Sequence, residues 1–253
     1  MLQRVWTIAR WTMVELLRER VLYVVLLFAA VLVGGSTVLT PLTPGAQKKV
    51  VVDLGLAAID ALGILVILLS GTSIVRRDMD RRSLDVLLTK PLTRLEYLGG
   101  KWLGLVATLL VLTVAMSVIL ITSLEACGFG WQARYLPAIL GSGLGMLVMA
   151  SIAVLFSTFT SPMLGALFTL ALFVGGSLSE GMLRTVGAAG GNPLLESLSL
   201  AIPNMGLFNL RGDAVHGTGV VPGQFLVASC YAVLYVATAL TLAATVFRRR
   251  DFR

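Results

Sequence analysis

The sequence predicts an all-α membrane protein: six transmembrane helices, an N-terminal interfacial amphipathic helix, a cytoplasmic elbow between the second and third spans, and an outer re-entrant segment before the sixth. Hydrophobic residues make up 57% of the 253-residue chain and charged residues only 13%. The mean hydropathy is +0.91, far from the range of soluble domains. Crossing about 30 Å of hydrocarbon takes roughly 20 apolar residues as a helix, and six runs come near or exceed that length. They are continuous, unlike the roughly ten-residue alternating segments of a membrane barrel, so the spanning element is the helix, which satisfies its own backbone groups.

The first element, residues 1–20, is too charged to insert. At about 100° per residue, Val5, Trp6, Ala9, Met13, Leu16 and Leu17 gather on one side, and Gln3, Arg4, Arg10, Glu15, Arg18 and Glu19 on the other. Such a helix lies in the membrane interface. The other reading, a first span that starts early, would carry Arg18 and Arg20 to depth. Charge through Arg20, ahead of any apolar run, is unlike a cleaved signal peptide.

The spans are expected at 21–42, 54–75, 102–124, 136–160, 163–179 and 225–247. Asp53 reads as the N-cap of the second. Asp60 is the one ionisable residue within a span, about six residues or ~9 Å from its outer end. Intramembrane carboxylates face a wet cavity or bundle interior, so Asp60 is a candidate for the translocation pathway. A carboxylate bonded to nearby hydroxyls, or reaching the outer interface, is the alternative. Residues 181–223 are too polar and glycine-rich to insert. Asn192-Pro193 opens a short helix there, carrying Leu194, Leu195, Leu198 and Leu200, which is expected to dip into the outer leaflet. Gly141 with Gly145, and Ala30 with Gly34, permit close helix approach, within one subunit or across a dimer seam.

Orientation follows from lysine and arginine. Of the 20, four precede the first span, seven lie in 76–101 and four close the chain, whereas Lys48, Lys49, Arg134, Arg184 and Arg211 fall on the opposite side. The basic side is cytoplasmic, so both termini are expected inside. The net charge of +7 then reflects topology and contact with anionic membrane lipids, not nucleic acid. Tyr23 and Trp102 near inner ends, and Trp131 and Tyr135 near an outer one, fit aromatic belts.

The charged elbow, 76–101, reads RRDMDRRSLDVLLTKPLTRLEYLGGK. As a helix it pairs Asp78 with Arg82 and Arg81 with Asp85 at i,i+4, and carries Leu84 and Leu88 on a separate apolar strip from Met79, Ser83 and Val86. Lys90-Pro91 ends that helix. Thr93-Arg94-Leu95-Glu96 is a capping box, with Leu92 and Tyr97 as its hydrophobic staple, so a new helix begins there and runs into the third span. Two apolar strips suit a helix held between the bundle and a soluble surface. An ordinary solvated cytoplasmic loop is the plainer alternative.

The stretch GTSIVRRDMDRRSLDVLLTKPLTRLEYLGGKWLG resembles the signature of type-2 ABC transporter permeases, the membrane subunits of ATP-driven bacterial exporters. DLGLAAI at 53–59, PNMGLFNLRGDAVHG at 203–217 and FRRRDF at 247–252 are similar to the same family, so the likeness covers most of the chain. Many relatives have an acidic residue followed by Gly-Thr where this chain has Asp80-Arg81-Arg82-Ser83. The resemblance implies a single transmembrane domain over 1–253 that dimerises with a second permease subunit. It makes the elbow a coupling helix, with Asp78, Arg81, Arg82, Leu84, Asp85 and Leu88 as candidate contacts to two cytoplasmic ATPase subunits. ATP and Mg²⁺ would be bound by those partners, and no cofactor by this chain.

The residues agree with a subunit that performs no chemistry. Gly99-Gly100-Lys101 is followed by Trp102 and lacks the first glycine of a phosphate-binding loop. No His-Glu-x-x-His or Gly-x-Ser-x-Gly occurs, and one histidine, His216, builds neither a metal site nor a triad. Cys127 and Cys230 leave a disulfide open. A bacterial inner-membrane permease is the leading reading; a channel, a scaffold or a membrane-embedded enzyme are the alternatives.

Overall fold

Long apolar runs free of interior proline become the long helices, and prolines stand where a helix starts. The computed structural model describes residues 2–18, 22–39, 46–75, 77, 94–188, 202–216 and 222–249. Its helices are α1 (Leu2–Leu16), α2 (Leu22–Leu39), α3 (Gln47–Ser70), α4 (Arg94–Ala126), α5 (Leu136–Ser157), α6 (Pro162–Ala188), α7 (Arg211–His216) and α8 (Pro222–Arg249). Pro137, Pro162 and Pro222 sit in first turns, where the missing amide hydrogen has no intrahelical partner to lose. Short 3₁₀ turns occupy Gly71–Ser73, Ala133–Tyr135 and Met205–Phe208. No strand occurs among the described residues.

Among the described residues, four stretches are long and apolar enough to cross a membrane: Gln47–Ser73, Leu95–Ala126, Ala133–Ser157 and Gly223–Phe247. Tyr23–Gly35 and Pro162–Leu178 are apolar but shorter. All six lie on the expected spans, although their limits differ.

One difference is at α3, which begins at Gln47 rather than near residue 54. Lys48 explains the extra two turns, because its Nζ donates to the Phe129 carbonyl at 2.6 Å and stands 6.0 Å from the Tyr135 ring centroid. Asp53 is therefore inside the helix and not its cap; the N-cap is Ala46, which makes no side-chain cap bond. Asp60 lies thirteen residues past Gln47, or ~20 Å along the axis at ~1.5 Å per residue, deeper than the expected ~9 Å. At α6 the helix continues past the expected end at 179 to Ala188, since polar residues end an apolar span without ending a helix. The helix expected at Asn192 lies outside the described residues.

α4 begins at Arg94, where the capping box predicts, and runs 33 residues without a break. Its first turns are buried at Glu96, Tyr97, Leu98 and Lys101. Tyr97 stacks on Phe247 of α8, with centroids 6.1 Å apart and planes at 16°.

α1 lies on this part of α4, in parallel. A Cβ built on Gly100 would fall 2.8 Å from Ile8 Cβ, and one on Gly104 2.6 Å from Thr12 Cβ and 2.7 Å from the Ala9 carbonyl oxygen. Both partners advance by four residues, so a Gly-x-x-x-Gly pair admits one helix backbone to another. The buried stripe of α1 is Ala9, Thr12 and Leu16, whereas Trp6 is 71% and Trp11 72% exposed. The wheel grouped Trp6 with the buried side. Docking on glycines rotates the helix so that small residues face inward and both indoles face outward, as an interfacial helix presents them to lipid.

α5 is the most enclosed helix, with Val148, Ala150, Ala153 and Val154 fully buried. Tyr23 is exposed as a belt residue would be, but Tyr135 is buried, with Trp131 edge-on at 5.4 Å. Trp102 packs against the core, and its enclosed Nε1 has no hydrogen-bond partner among the described residues. Cys127 and Cys230 are exposed and unpaired, so no disulfide forms. Ala30 is exposed, and a Cβ on Gly34 would meet nothing within 4 Å, so that small pair does not seat another helix of this subunit.

Gly104→Val is expected to lower the thermal unfolding midpoint of the detergent-purified protein, since overpacking costs about 1–3 kcal/mol. Gly99→Ala, where a Cβ meets nothing within 4 Å, should leave it equal or raise it through helix propensity. Equal midpoints for both variants would mean that α1 does not pack on α4.

Candidate functional site

The side chains suited to recognition converge where α3, α5, α6 and the segment before α7 meet. On α3, Asp53, Ala57, Asp60, Ala61, Ile64 and Ile67 recur at helical spacing and form one face. All but Asp53 line a cavity of about 340 Å³. Ser142, Gly145, Met146 and Met149 of α5 form the opposite wall, Phe173 and Ser177 of α6 a third, and Phe208, Asn209 and Arg211 the last. The small Ala57, Ala61 and Gly145 leave the space that larger residues would fill.

The segment 202–211 is seated among the helices. Gly141 admits the Phe208 backbone, because a Cβ there would lie 2.6 Å from that carbonyl oxygen. Gly145 faces the Phe208 side chain, and Gly176 of α6 abuts the Pro203 carbonyl. Gly141 and Gly145 thus serve close packing within one subunit, as one of the two readings had it, but toward this segment. The Asn204 amide donates to Tyr231 Oη at 3.0 Å, and Asn204 Oδ1 accepts from the Gly206 amide at 3.1 Å. Met205, Phe208, Leu210 and Ala214 are buried. Residues 203–210 are thus packed within the bundle, whereas the leucine-bearing helix expected to dip lies outside the described residues.

Asp60 is the centre of the cavity's polar end. It shares that end with Ser142 and Arg211, which line the same cavity. Arg211 in turn bonds Asp53 through Nε to Oδ1 at 2.9 Å, with its side chain 34% exposed and that of Asp53 52%. Asp53 and Asp60 thus stand on one face of α3, with Arg211 bonded to the first and lining the cavity beside the second. Toward the other end of the cavity the walls are Ile64, Ile67, Met149 and Phe173. The site is amphipathic along its length. Among the described residues no cluster of three or more histidine, cysteine, aspartate or glutamate side chains suits a metal ion.

Sequence reading found Asp60 and not its surroundings. Asp53 and Asp60 stand seven residues apart, two helical turns, so their common face was available as a signal once the helix was extended back to Gln47. Nothing in the sequence pairs Arg211 with Asp53 across 158 positions, or brings Ser142 and Asn209 to the same cavity.

The elbow residues Asp78, Arg81, Arg82, Leu84, Asp85 and Leu88 lie outside the described residues. Its flanks are described. The helix leading into it tightens to a 3₁₀ turn at Gly71–Ser73, all three buried. A Cβ on Gly71 would lie 3.1 Å from both Ala153 Cβ of α5 and Leu105 Cδ2 of α4, and Thr72 Cβ is within 3.4 Å of the Cβ position of Gly165 on α6. The helix leaving it, α4, is locked to α1 by Gly100 and Gly104 and to α8 by Tyr97.

No curated protein matches the chain by sequence. A family model described as ABC-2 family transporter protein matches residues 6–252, almost the full length, in a chain whose apolar helices and buried elbow flanks are those of a membrane transport subunit. The chain belongs to the ABC-2 family of transporter proteins, the permeases of ABC transporters.

Proposed function

We propose that the chain is the permease of an ATP-driven exporter in a bacterial cytoplasmic membrane, with six spanning helices and both termini cytoplasmic. It pairs with a second permease subunit, identical or related. Two ATPase subunits dock on the 76–101 elbow, and they bind the ATP and Mg²⁺. The observation that carries this reading is that both flanks of the elbow are built into the bundle. Gly71–Ser73 touches α4, α5 and α6, while residues 96–104 hold α1 and α8. A push on the elbow therefore reaches five helices through close contacts, which a solvated loop would not arrange. Leu84 and Leu88 serve as the apolar anchor, with Asp78, Arg81, Arg82 and Asp85 orienting the contact. Desolvated pairs matter in such an interface and rim pairs contribute little. Asp60 faces the path that the substrate takes, through the cavity it shares with Ser142.

Two measurements test the assembly. Truncating one buried interface anchor removes about 1–3 kcal/mol, so Leu84→Asp with Leu88→Asp is expected to release the ATPase during purification while the permease still inserts. Equal co-purification at matched expression would rule out this face. For topology, cysteine at the exposed Lys49 should react with an impermeant thiol reagent added outside intact cells, and cysteine at Ser83 should react only after permeabilisation. The reverse pattern would overturn the orientation.

A further inference from the structure

The cavity beside Asp60 has a chemistry of its own. Its charged lining residues are Asp60 and Arg211, and Arg211 is engaged by Asp53 at 2.9 Å. A second anion brought to this end would meet Asp60; a cation would find its carboxylate, with the polar side chains of Ser142, Ser177 and Asn209 lining the same cavity. Chain direction orders the walls. On α3, Asp60 precedes Ile64 and Ile67, on the antiparallel side of α6 Ser177 follows Phe173, and on α5 Ser142 precedes Met149. Polar groups therefore gather at one end and apolar groups at the end nearer the elbow. A volume of about 340 Å³ is roughly twice the ~150 Å³ that holds a benzene ring, so it admits an ammonium head with a ring and a short chain.

We propose that this cavity binds an amphiphilic organic cation, with a primary ammonium head on Asp60 and its apolar tail among Ile64, Ile67, Met149 and Phe173. The ammonium donates to the Asp60 carboxylate, a charge-assisted bond about twice as strong as a neutral one. The tail occupies walls that offer nothing to a polar group. This deepens the reading of Asp60 as a pathway residue by naming the ligand class. Because binding is read without ATP or the ATPase, it separates from transport: a failed docking experiment leaves this site standing, and failed binding leaves the docking face standing.

The test is calorimetric titration of the full chain in phosphatidylcholine nanodiscs, with empty discs subtracted, using 4-phenylbutylamine, 4-phenylbutanol and 4-phenylbutyrate. The wild type should bind the amine about tenfold or more tighter than the alcohol, with the carboxylate weakest; each tenfold corresponds to ~1.4 kcal/mol. Asp60→Asn should bring amine and alcohol to within about twofold, consistent with loss of one charge-assisted bond. Equal amine and alcohol binding by the wild type overturns the proposal without recourse to a variant, so a misfolded Asp60→Asn does not protect it. An unchanged preference in a folded Asp60→Asn overturns it as well. A repeat in discs containing phosphatidylethanolamine assigns the source of the ammonium group. Competition identifies a membrane lipid headgroup, and its absence a free amine; either supports the site.

Discussion

Close approach of backbones holds this subunit together, and the functional geometry depends on it. In hydrocarbon, apolar side chains gain nothing by leaving the solvent, so helices associate through packing and interhelical hydrogen bonds. Among the described glycines, the closest approaches to another backbone are at Gly104 against the Ala9 carbonyl, Gly141 against the Phe208 carbonyl and Gly176 against the Pro203 carbonyl. The last two involve backbone outside any long helix. Such backbone is tolerated in a membrane protein where protein surrounds it. Segment 203–210 meets that condition, with buried Met205, Phe208 and Leu210 on its flanks and the Asn204 amide satisfied by Tyr231.

The cavity follows from that seating. With the segment held against α5 and α6 at positions where side chains are excluded, Phe208, Asn209 and Arg211 are brought opposite Asp60. Alanines at 57 and 61 then keep the facing side of α3 from closing the gap. The polar end draws on three elements distant in sequence, which is why a single carboxylate in an apolar run was the visible part of it.

What was legible in the sequence was set by local rules. The apolar runs gave the long helices, and the capping box at Thr93–Glu96 gave the start of α4. Errors came where a tertiary contact overrode a local rule. Lys48 looked like a flank outside a span, but its bond to Phe129 carries α3 back to Gln47 and turns Asp53 from a cap into an ion-pair partner. The wheel put Trp6 on one side with Ala9 and Leu16, but two glycines on α4 select the small residues of that side and leave Trp6 exposed. Tyr135 looked interfacial, but it lies between Lys48, Arg134 and Trp131. Phe129 from Lys48, and the α4 glycines from α1, are too far along the chain for periodicity to register.

α3 joins the two regions that matter. Gly71, packed against α4 and α5, lies eleven residues from Asp60 on a helix with no proline between them, a distance of ~16 Å along the axis. In the proposed coupling, a displacement at the elbow end would reach the cavity wall along this one helix. What opposes it is uneven. Toward α5 and α6, segment 202–211 rests on glycines with no room to give. Toward α3 it presents the cavity and the Asp53–Arg211 pair. A pair that is one-third exposed on one side and half exposed on the other contributes about 0–1 kcal/mol. Asp60 and Arg211 stand on the two walls that the cavity separates, so the distance between them depends on how α3 sits against the segment.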